Sequence, residues 1–166
     1  MGSDTDSPDT STGFSVELFV RSLAPHGAHE RQEAIVDRLE QLERDDRVDA
    51  VTCTVWGDRV CPETAARLRD GRSLLRDIAR LRTWAQAHDA SLEPFFEERT
   101  VQSMCEDPYT VFVPPVLCLA VSRGEELWGV FPCVKADTTL SVMDGLDALA
   151  ESTPTDSFAD RAFAHP

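Results

Sequence analysis

Lysine is almost missing from this chain. Lys135 stands alone among sixteen basic residues, and the others are arginine. Long apolar runs are missing too. None reaches the roughly 18 residues of a membrane-spanning helix, so no span and no membrane partner is expected. Five cysteines are present (Cys53, Cys61, Cys105, Cys118 and Cys133), but no two have C-x-x-C spacing. His26, His29, His88 and His165 do not pair with them at ligand spacing. The common dithiol motif and the common zinc sites are thereby excluded, and no metal or cofactor is expected. The count is odd and no signal peptide is recognised, which points to reduced thiols in a cytoplasmic protein. Cys53, Cys118 and Cys133 fall in apolar strand-like runs and are expected to be buried.

Acid is abundant. Thirty Asp and Glu give a net charge of −14, spread along the whole chain. Carboxylates without lysine suit a halophilic cytoplasm at molar salt, where a Debye length of about 3 Å screens their repulsion. In dilute salt such a charge argues against nucleic acid. At molar salt the counterion-release term is largely gone, so charge does not exclude DNA.

Residues 1–13 and 151–166 are rich in Ser, Thr, Asp and Pro and are expected to be loose tails. Residues 14–150 form the expected single domain. Phe14 to Leu23 reads as an interior strand, and Ala28 to Arg44 as a helix with Ile35, Leu39 and Leu42 on one face. Val48 to Trp56 reads as a second strand, which makes a βαβ unit with parallel strands. A helix is expected from Ser73 to His88, after a break at Gly71. Ser91 to Tyr109 reads as an irregular excursion with an edge strand near Phe95 to Val101. Val116 to Ser122 and Leu127 to Cys133 predict a hairpin. A last helix, capped by Asp137 or Thr138, carries Val142, Leu146 and Leu149.

The order β-α-β-α-β-β-α resembles a thioredoxin-like three-layer α/β sandwich with an insertion before the third strand. Val113-Pro114-Pro115-Val116-Leu117-Cys118-Leu119 is similar to the thioredoxin segment in which a cis-proline precedes the third strand. The resemblance implies that Pro114 or Pro115 is cis. At the first helix the chain has His26-Gly27-Ala28-His29 where thioredoxins have C-x-x-C, so the fold is expected without the dithiol chemistry. A ferredoxin-like α+β layer is the alternative. Val16-Glu17-Leu18, Arg31-Gln32-Glu33-Ala34, Val55-Trp56-Gly57 and Ser91-Leu92-Glu93-Pro94-Phe95-Phe96 together resemble small acidic haloarchaeal proteins often labelled "HTH domain protein". That resemblance implies a DNA-associated regulator. The first helix, however, is followed by a strand, not by the turn and recognition helix that base reading needs.

Ligands of open α/β sheets sit beyond the carboxyl ends of parallel strands. His26, His29, Trp56 and Arg59 lie there, and the Pro114-Pro115 loop is expected to approach them. These six residues are the expected ligand-binding set, and no catalytic residue is assigned. Glu93, Glu97 and Glu98 read as a solvated acidic face. Arg67, Arg69, Arg72, Arg76, Arg80 and Arg82 partly line one helical face; they read either as surface arginines that pair with carboxylates or as support for a DNA-associated regulator. The chain is therefore expected to be a non-catalytic binding or regulatory module acting on a protein partner or a small ligand. The alternatives are a DNA-associated transcriptional regulator and a thioredoxin-fold enzyme using a single thiol.

Overall fold

The computed structural model describes residues 13–23 and 30–151. The expected βαβ unit forms from β1 (Phe14–Val20), α1 (Glu30–Arg44) and β2 (Ala50–Val55). β1 and β2 run parallel, with Leu18 beside Cys53. The hairpin forms from β6 (Leu117–Arg123) and β7 (Glu126–Phe131), and β6 runs antiparallel to β1. The resulting sheet has the order β2-β1-β6-β7.

Helices cover both faces of this sheet. Leu18, Leu119 and Phe131 are neighbours across three strands and share one face. On that face α4 (Val142–Glu151) sets Gly145 against the Phe131 ring, and Arg38 of α1 pairs with Asp147 of α4. Glu17, one residue from Leu18, points to the opposite face. There it meets Arg80 of α3 (Arg69–Ala87). The protein is a mixed α/β structure. Its two covered faces differ from a ferredoxin-like layer, where the helices gather on one side. The core joins Phe19, Ile35, Leu39, Leu81, Leu119, Phe131, Leu146 and Leu149.

Several local expectations are corrected. Gly71 does not break a helix; it lies inside α3. A Cβ there would stand 2.3 Å from the Ala65 carbonyl oxygen, so glycine lets α3 pass close to α2 (Pro62–Ala65). The excursion holds β3 (Ala90–Ser91) and a hairpin of β4 (Glu97–Val101) with β5 (Tyr109–Val113). β5 was not foreseen as a separate strand. Asp137 and Thr138 do not cap α4. Ala136 and Asp137 adopt positive φ in the turn between β8 (Cys133–Lys135) and β9 (Thr138–Leu140). The cap is Ser141. Its backbone N–H and hydroxyl donate to the Asp144 carboxylate, and the Asp144 N–H donates to the Ser141 hydroxyl. Neither Pro114 nor Pro115 is cis; the cis bond among the described residues is Phe131-Pro132.

Candidate functional site

The expected set meets only in part. His26 and His29 lie outside the described residues. Trp56 follows β2 directly and is buried. Its ring stacks on Phe19 at 4.8 Å and meets the edge of Phe96 at 5.6 Å. Its indole N–H donates to the Pro115 carbonyl at 3.2 Å. The Pro114 carbonyl accepts from the Arg21 guanidinium at 2.7 Å. Trp56, Pro114 and Pro115 therefore converge, but as a braced corner whose polar atoms serve each other. Arg59 is exposed, and no hydrogen bond or ion pair among the described residues ties it to that corner.

The acidic excursion behaves as a solvated face. Glu97 accepts two hydrogen bonds from Arg99, which hold its carboxyl below the usual range, and Glu98 pairs with Arg82 at 2.7 Å. Among the thiols, Cys118 and Cys133 are buried as expected, and burial pushes Cys133 up to about 11. Burial raises Cys118 as well. Cys53 corrects the expectation: it is exposed, because β2 is an edge strand. Cys61 precedes α2, where hydrogen bonds from Thr64 lower its thiol below the ordinary value. No cluster of three His, Cys, Asp or Glu among the described residues fits a metal ion.

Two features remain as candidate sites. The first is the outer face of α3. Ile78, Leu81 and Ala85 turn into the core. Arg69, Arg72, Arg76 and Arg80 recur at steps of three and four, so they share the opposite face over about 16 Å. Arg80 is tied to Glu17 at 3.1 Å, and Arg82 pairs with Glu98 and lies over the Phe112 ring. Those two follow the surface-pairing expectation. Arg67, Arg69 and Arg72 make no side-chain hydrogen bond or ion pair among the described residues. With Leu75 and Arg76, Arg69 and Arg72 line a concave patch of about 490 Å³. The signal for this row was in the sequence; which arginines stay unpaired was not.

The second feature is a more enclosed cavity of about 420 Å³, absent from the sequence expectations. Phe95, Val116, Leu117, Pro132 and Val142 give it apolar walls, and Arg31 supplies a cation. Its lining comes from segments far apart in the chain, so no local pattern could announce it.

Comparison with known proteins gives one finding. A family model described as "Helix-turn-helix domain" matches residues 8–154. No curated protein and no solved structure matches.

Proposed function

The chain belongs to that helix-turn-helix domain family, and from this premise we propose that it is a non-catalytic, DNA-associated regulator. The observation that carries the proposal is the arginine row on α3, a cationic face on a chain of net charge −14. Guanidinium groups suit phosphate oxygens, which they contact through paired, charge-assisted hydrogen bonds. The row grips the DNA backbone and does not read bases. α1 is followed by β2, and the helix before α3 has only four residues. Neither arrangement supplies the paired helices of a base-reading motif. Phosphate contacts of this kind position a protein and carry no sequence information directly.

The test is fluorescence anisotropy of a labelled duplex, with KCl lowered stepwise from molar concentration and folding followed by circular dichroism. With about three phosphates contacted, Arg80 being held by Glu17, log K should fall against log [KCl] with a slope near −2.7. The triple substitution Arg69→Ala, Arg72→Ala, Arg76→Ala should abolish most of the binding. A folded protein that leaves the duplex free at every salt concentration sinks the reading.

Other parts of the reading have their own support. The β2-β1-β6-β7 order with helices on both faces supports a thioredoxin-like arrangement. The acid excess with one lysine supports a halophilic cytoplasm as the working medium. A second binding reading, for a small ligand, is favoured by the apolar cavity with Arg31 at its wall; that chemistry suits an amphipathic carboxylate. The lone-thiol alternative draws only on the partly buried, lowered Cys61.

A further inference from the structure

β2 is an open edge. It ends the sheet order, and no described strand pairs with its outer side. Val55 is 46% exposed and Cys53 is exposed. Natural edge strands are usually blunted by lysine, proline, a bulge or an inward charge. Ala50-Val51-Thr52-Cys53-Thr54-Val55 has none of these, and its register with β1 is unbroken.

The outward groups can be assigned. The Trp56 N–H donates to the Val20 carbonyl, and Val20 lies beside Val55. Hydrogen-bonding direction alternates along a strand. Ala50, Thr52 and Thr54 therefore bond toward β1, whereas Val51, Cys53 and Val55 present their N–H and C=O groups outward.

The strand also reads the same in both directions: Val51-Thr52-Cys53-Thr54-Val55. Two copies set antiparallel about a dyad at Cys53 place Val51 opposite Val55, Thr52 opposite Thr54, and Cys53 opposite itself. Those are β-branched and Thr–Thr pairs of the kind that stabilise antiparallel strands. Every side chain keeps its face. Val51, Cys53 and Val55 continue the Val16–Leu18–Val20 face, and the threonines continue the Glu17 face. The segment carries no charge, which makes it a place where two strongly acidic chains can meet.

We propose that β2 is a self-association edge, through which two copies of this chain join into one eight-stranded sheet. The pairing needs no DNA and does not rest on the function proposed above. A dyad normal to the sheet leaves both α3 arginine rows on one side of the dimer.

Sedimentation velocity of the full chain across a concentration series in molar KCl reads the proposal. The expected result is a concentration-dependent doubling of mass, with the dimer fraction rising as KCl increases and screens repulsion. DNA binding has the opposite salt dependence, so either reading can fail without the other. Cys53→Lys sets two ammonium groups face to face and should give a monomer with an unchanged circular dichroism spectrum. Diamide supplies a second readout. It takes two electrons and two protons from the paired thiols as the Sγ–Sγ bond forms. The Cα atoms of such a pair lie about 5.5 Å apart, within disulfide reach. Wild type should yield a covalent dimer, and Cys53→Ser should remain a dimer in solution without the cross-link. A monomer at all concentrations, or cross-linking that persists in Cys53→Ser, overturns the proposal.

Discussion

The two edges of the main sheet are built in opposite ways. At β7, Leu127, Val130 and Phe131 are buried, because α3 and α4 both pack against that strand. At β2 no residue is fully buried, although Val51, Thr52, Thr54 and Val55 make it richer in β-branched residues than β7, which has Val130 alone. Strand-forming residues thus serve a finished boundary at one edge and an unfinished one at the other. β-propensity describes fitness for a pleated surface and does not say whether anything covers it.

That contrast can be broken most sharply at Phe131. It is fully buried, and α4 rests on it. Phe131→Ala should lose roughly 3–5 kcal/mol in urea denaturation, whereas Val55→Ala at the other edge should change stability by about 0.5 kcal/mol or less in the monomer. Comparable losses at the two sites would mean that β2 is covered. Gly145→Ala tests the helix side of the same contact. Its new Cβ would lie 2.6 Å from the Phe131 ring, so the helix or the ring must shift. A loss of about 1–3 kcal/mol is expected, with a lowered melting temperature as the measure.

The smallest effect belongs to Glu17 on the β1–β2 side. Burial first, and the neighbouring Asp77 carboxylate second, raise its pKa, against hydrogen bonds from Thr54 and Arg80. Asp77 itself is raised by burial. A raised carboxyl binds its proton more tightly in the folded state than in the unfolded one. Its contribution is therefore most favourable below the ordinary glutamate pKa, about 4.3. That advantage is lost as pH rises through the raised value. Glu17→Gln should flatten the fall in stability from acid to neutral pH. An unchanged slope in urea titrations across that range would show that Glu17 is not the group responsible.

The arginine row shows how much of a site local pattern can carry. Arg69, Arg72, Arg76 and Arg80 are spaced for one helix face, so the row was legible. Glu17 comes from β1, some sixty residues away, and decides that Arg80 is occupied while Arg69 and Arg72 are not. The Trp56 corner was legible as a position beyond the strand ends. The approach of the Pro114-Pro115 loop was expected too; the edge-on Phe96 ring was not, since it arrives through the insertion.

By itself the sequence determined the main elements: the strands β1, β2, β6 and β7, the faces of α1 and α3, the lack of a long apolar run, and the net acidity. These follow from periodicity and composition, which act over a few residues. Tertiary structure alone decided that Gly71 is a contact and not a break. It also chose Ser141 over Asp137 as the cap and left Cys53 exposed while burying Cys118. Each of those outcomes depends on which surface a distant segment covers, and burial is a property of pairs of surfaces rather than of any one stretch of chain.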